Sequence, residues 1–77
     1  MIDIIEKKIQ TIRREAERQM MERSVAGDEA SGRFAACCTL LDGVTPEDAL
    51  DALSIFPPSW PQRRGAKEIY EQFKGLI

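Results

Sequence analysis

The 77-residue sequence predicts an all-α fold, a small single-domain bundle of about four helices with a long N-terminal helix and three shorter ones. Three observations carry that reading. Apolar residues recur at spacings of three and four along most of the chain, and no segment alternates with period two. The breakers Gly27, Gly43 and Pro57–Pro58 divide the chain into four stretches of helical character. The Asp42-Gly43 pair has helical spacing on both sides, so it reads as a helix stop and not as a hairpin turn.

The first element is expected over residues 2–24. Its apolar residues fall at positions 2, 5, 9, 12, 16 and 20, one stripe of a helix, and the remainder is rich in Glu, Lys, Arg and Gln. Asp3 with Lys7, Arg13 with Glu17 and Arg18 with Glu22 are four apart and add small surface terms. Asp28 then offers an N-cap for a second helix over 29–42, with Ala30, Phe34, Cys37 or Cys38, and Leu41 on its apolar face. Gly32 weakens the first turn of that helix, so its start could slip by several residues.

The third helix, over 46–55, opens with the clearest local signal in the chain. Thr45 is the N-cap, Pro46 sits at the first helical position and Asp48 lies three residues on, where its carboxylate also suits the positive end of the helix dipole. Pro57 and Pro58 stop it, a Pro/Trp loop spans 56–61, and a last helix over 62–76 turns Ala66, Ile69, Tyr70, Phe73 and Ile77 inward. A helix over 2–24 would be roughly 33 Å long, against about 25 Å for a compact domain of this length. The first helix is therefore expected to overhang, or to lie against a second copy.

Composition narrows the function classes. The chain is 43% apolar and 31% charged, the balance of a folded globular protein. Formal net charge is −2, which favours neither a nucleic-acid binder nor an acidic mimic. The distribution says more. Residues 1–27 are net +1, residues 28–56 net −5 and residues 57–77 net +2. No secretory leader or apolar span is legible, and a cytoplasmic protein without membrane attachment is expected.

Neither a cofactor nor a metal site is expected. Zinc wants about four ligands, and the chain offers adjacent Cys37 and Cys38 with no histidine. Neighbouring helical residues point about 100° apart, so the two thiols do not converge, and they read as small buried side chains. One of them, if exposed, could bond a partner subunit. Without histidine, acid–base catalysis would fall to the carboxylate pairs Glu47–Asp48 and Asp28–Glu29, which helix capping already explains. With no phosphate loop or nucleophile elbow either, the chain is read as non-enzymatic.

What remains is surface. Lys7, Thr11, Arg14 and Arg18 form a basic stripe opposite the apolar face of the first helix, flanked by Asp3, Glu6, Glu15, Glu17 and Glu22. Those acids blunt attraction to nucleic acid, and the stripe suits an acidic protein surface such as residues 28–56 of another molecule. Read as a helix-turn-helix, the second and third helices would put an acidic reader into the major groove, which phosphates repel. Ile4, Met21 and Val25 point away from the core stripe and are candidate interface residues. A parallel pairing of first helices would bring Lys8 near the partner's Arg13, so self-association is expected to be antiparallel or shared with other helices.

The segment from Ser54 to Glu68 holds three of the four prolines, the single tryptophan and the Arg63–Arg64 pair. Pro58-Ser-Trp-Pro61-Gln-Arg63 matches the P-x-x-P-x-R pattern of polyproline ligands, but lies between two helices. Either Trp60 folds back over the joint between them, or Ser59 caps the last helix with Gln62 completing the box. A rigid tryptophan beside two arginines is also the residue mix of an interface hot spot, so Trp60, Arg63 and Arg64 join the candidate interface. The resulting expectation is a regulatory or accessory protein that self-associates as a homodimer through the overhanging first helix and binds a larger protein. Its small size and lack of motifs suit proteins encoded by phages and mobile elements. The alternative is weak nucleic-acid binding through Lys7, Arg14, Arg18, Arg63 and Arg64.

Overall fold

A computed structural model describes residues 3–21 and 23–77. It contains four helices and, among the described residues, no strand: α1 (Asp3–Gln19), α2 (Val25–Leu41), α3 (Pro46–Leu53) and α4 (Pro61–Phe73). The placement of Ile2 on the apolar stripe and the Arg18–Glu22 pair lie outside the described residues.

The largest departure from the sequence expectation is at the first junction. α1 ends at Gln19 rather than at 24, and α2 starts at Val25 rather than 29. Ser24, not Asp28, is the N-cap: its backbone is extended (φ −152°, ψ 174°) and its hydroxyl accepts from the Gly27 N–H at 3.3 Å. Helix formers such as Met20 and Met21 disguise the break, and a serine cap outweighs their weak preference. Asp28 instead lies in the first turn of α2, where its charge still meets the positive helix end. α1 and α2 consequently have 17 residues each, about 25 Å. The molecule measures 34 × 27 × 16 Å, so α1 does not overhang and the fold is not one long helix with three short ones.

α2 ends as the sequence indicates. Gly43 is left-handed (φ 97°), its N–H bonds to Leu40 O at 3.1 Å, and Val44 N–H reaches Thr39 O at 3.3 Å, the paired bonds of a Schellman motif. α3 begins with Thr45 accepting from the Asp48 N–H at 3.3 Å and with Pro46 in the first turn. It ends at Leu53, two residues before the expected 55, because Ser54 turns back on Asp51 O through both its N–H and its hydroxyl. α4 starts at Pro61, one residue before expectation, with Trp60 at the cap position and no side-chain cap bond, so Ser59 does not cap it. It stops at Phe73 rather than 76. Gly75 is left-handed (φ 83°), and Ile77 is exposed instead of inward-facing.

α2 is the central element, packed against both α1 and α4, while α3 rests on α4. Ile9 from α1, Ala36, Cys37 and Leu40 from α2, Ala49 from α3, and Ala66, Ile69, Tyr70 and Phe73 from α4 form the core. Ile5, Ile12, Leu41, Leu50 and Leu53 close its edges. Two glycines set the separation of α2 and α4. A Cβ on Gly32 would stand 1.9 Å from Gln62 O, and one on Gly65 would stand 1.9 Å from Glu29 O. Each helix thus presses its backbone into the gap left by the other's missing side chain. Gly32 is therefore a packing requirement of α2 that outweighs its cost in helix propensity.

Candidate protein-docking surface

The α3–α4 connection gathers three exposed large apolar residues in one short segment. Ile55 is 79% exposed, Phe56 39% and Trp60 38%. The Phe56 and Trp60 rings lie 4.8 Å apart between centroids and tilt by 41°, an aromatic pair standing on the surface. The prolines keep the backbone between them stiff, and Trp60 N–H closes the turn on Pro57 O at 3.0 Å. Phe56 N–H likewise bonds to Leu53 O at 3.2 Å, tying the start of the loop to the end of α3.

The arginine pair fastens this loop from α4. The Arg63 guanidinium donates to Phe56 O, and Arg64 donates to Ser59 O at 3.0 Å. Arg64 also reaches Glu29 on α2 at 3.3 Å, so a single side chain joins the loop, α4 and α2. Each bond is exposed and individually modest, yet together they fix which way the aromatic pair faces. Both arginines, expected as free interface or nucleic-acid contacts, are thus engaged within the chain. Trp60 meets its own chain through Phe56 and still keeps over a third of its surface open.

The remaining candidates do not join this cluster. Ile4 (78% exposed) lies in the first turn of α1, Met21 (84%) just beyond its end, and Val25 (56%) at the start of α2. Ile4 and Met21 are therefore separated by nearly the full length of α1 and cannot form one patch. Lys7, Arg14 and Arg18 are exposed along the outer face of α1, where Thr11 donates to Lys7 O at 3.0 Å. A shallow groove of about 320 Å³ there is lined by Thr11, Arg14, Glu15 and Arg18. A second depression of about 360 Å³ lies between α1 and α4, over Ile12, Ala16 and Ile69, with Lys8, Glu15 and Glu68 at its edges. Arg33 of α2 crosses it, donating to Gln19 at 2.8 Å and standing 3.9 Å from Glu68.

Sequence reasoning missed Ile55 as an exposed residue by carrying α3 two residues too far. It passed over Phe56 altogether, although an aromatic directly before a proline pair was the available signal. Of the thiols, Cys37 is fully buried and Cys38 half-buried, and neither is in a disulfide. Burial, reinforced by the neighbouring Cys38, pushes the Cys37 thiol up to about 11, which suits a packing role and not a nucleophile. Among the described residues, no group of acidic, Cys or His side chains converges as a metal site, and no helix is long and apolar enough to cross a membrane. Compared with family models, with curated proteins and with solved structures, the chain matches none.

Proposed function

We propose that this chain is a non-enzymatic protein-binding module, a small regulatory or accessory protein whose docking surface is the α3–α4 loop with Ile55, Phe56 and Trp60 at its centre. One observation carries the reading: an exposed aromatic pair stands on a loop whose carbonyls at Phe56 and Ser59 are held by Arg63 and Arg64. Holding the loop in place before binding lowers the entropy cost of association, and exposed aromatic groups beside apolar ones are the usual energetic anchors of protein interfaces. The free thiols favour a reducing, cytoplasmic setting.

Ile55→Asp is the cleanest test. Ile55 is 79% exposed, so the substitution should change stability by no more than about 0.5 kcal/mol. Loss of an anchor residue should weaken partner binding by about 5- to 30-fold. Wild-type and Ile55→Asp baits are to be compared in capture from the native host, with helicity and thermal midpoint matched beforehand. Trp60, the single tryptophan, then reports binding of each captured protein directly through its emission. Identical capture by the two baits, with unchanged Trp60 emission, refutes the proposal.

A further inference from the structure

The outer faces of α1 and α3 carry opposite charge in exposed side chains. On α1, Lys7, Arg14 and Arg18 are exposed along one strip, and none has an ion-pair partner among the described residues. On α3, Glu47, Asp48 and Asp51 are exposed while Pro46 and Ala49 are buried, so the acids form the outward face. They too have no ion-pair partner among the described residues. No Lys or Arg stands in the sequence between Arg33 and Arg63, so α3 has no basic neighbour along its own chain.

We infer that two copies of this chain associate, the basic face of α1 in one lying on the acidic face of α3 in the other. The registers fit. Arg14 and Arg18 are four residues apart, as are Glu47 and Asp51, and both pairs therefore span about 6 Å along a helix. A groove lined by Thr11, Arg14, Glu15 and Arg18 opens on this strip and gives an α3 side chain a concave approach to the two arginines. Glu15 and Glu17 flank the strip, and they limit the partner to a narrow acidic ridge such as α3 offers. Met21, 84% exposed just beyond α1, gives the strip an apolar end, which favours protein over nucleic acid as the occupant. A two-fold axis that repeats the α1–α3 contact would close the pair as a dimer. The α1–α3 pairing uses residues other than the aromatic pair, so it stands or fails separately from the docking role of the loop.

The test is sedimentation at about 0.3 mM protein, the range in which a small polar interface associates. At low salt the wild type should sediment above 8.7 kDa and approach twice that mass as concentration rises, and about 0.5 M salt should shift it toward the monomer. Exposed ion pairs are each worth about 1.5- to 5-fold in association, so Arg14→Glu with Arg18→Glu should weaken it at least fivefold. Glu47→Lys with Asp51→Lys should do the same, and the chain carrying all four exchanges should recover association. Trp60→Ala should sediment as the wild type does. A low-salt monomer, salt-independent association, charge-reversed variants that behave as wild type, or failure of the fourfold exchange to recover would each overturn the inference. All four positions are exposed, and circular dichroism establishes that the variants are folded.

Discussion

Gly32→Ala ought to stabilise an ordinary helix by about 1 kcal/mol, since glycine is among the poorest helix residues. Here it should do the opposite. The added Cβ would lie 1.9 Å from Gln62 O, 2.7 Å from Gln62 C and 2.9 Å from Gln62 Cα. All three are backbone atoms in the first turn of α4, so no side-chain rotation relieves the clash. Ordinary contact begins near 3.4 Å, and 3.4 minus 1.9 requires α2 and α4 to part by 1.5 Å at this point. A gap of even 0.5–1 Å forfeits a quarter to a half of each facing dispersion contact. Ala36, Ala66, Ile69 and Phe73 lie in the core that these two helices share. Overpacking of this kind costs typically 1–3 kcal/mol and sometimes more. Because the clash is with backbone, the upper end of about 3 kcal/mol applies, and against the propensity gain of about 1 kcal/mol a net loss of about 2 kcal/mol is expected.

For a domain of this size that loss is a large share of the total, and the thermal midpoint should fall by about 8–16 °C. Urea titration followed both by helicity and by Trp60 emission measures the change. Gly65→Ala meets Glu29 O at the same 1.9 Å and should cost a similar amount. The double variant should cost less than the sum, because helices already parted by one methyl accommodate the second. Gly43→Ala is the contrast: nothing lies within 4 Å, and only its left-handed backbone (φ 97°) opposes the change, at about 1–2 kcal/mol. A Gly32→Ala protein as stable as the wild type, or more so, would sink the close crossing of α2 and α4.

Two further outcomes follow from other parts of the fold. Thr45→Ala removes the hydroxyl that accepts from the Asp48 N–H, and should destabilise by about 0.5–2 kcal/mol in chemical denaturation, whereas an unchanged midpoint would show that Pro46 alone starts α3. Cys37 keeps its proton in the folded state up to about pH 11, while the unfolded thiol loses it from about 9.0. The unfolded state therefore binds fewer protons in that window, and stability falls as pH rises through it, by about 1–3 kcal/mol in all. Cys37→Ala should remove that part of the slope. Below pH 8 the two proteins should show parallel pH dependence, and a thiol reagent should modify Cys38 well before Cys37.

How much was legible in the sequence varies by element. The start of α3 and the end of α2 were readable because Thr45, Pro46 and Gly43 act on their immediate neighbours, through a hydroxyl, a fixed φ and a left-handed turn. The core face of α4 was readable through Ala66, Ile69, Tyr70 and Phe73, because a helix packed on one side shows a clean period. α2 was harder to read, since it packs on two sides and its apolar residues extend around more of its circumference. The candidate surface was half visible. Trp60, Arg63 and Arg64 stood out by type, but their roles did not, since which carbonyls the arginines hold depends on how α3 meets α4.

The sequence by itself determined that the chain is helical, that it divides into four helices, and that its middle is acidic between more basic ends. These are properties of local patterns: spacing, capping and charge count along the chain. Tertiary structure alone decided that Gly32 and Gly65 are sites of helix contact, and that Ile55, Phe56 and Trp60 remain exposed. The physical reason is common to both. A weak local preference is settled by whatever packs against it, and a glycine or a tryptophan has the same sequence signature whether another helix approaches it or solvent does.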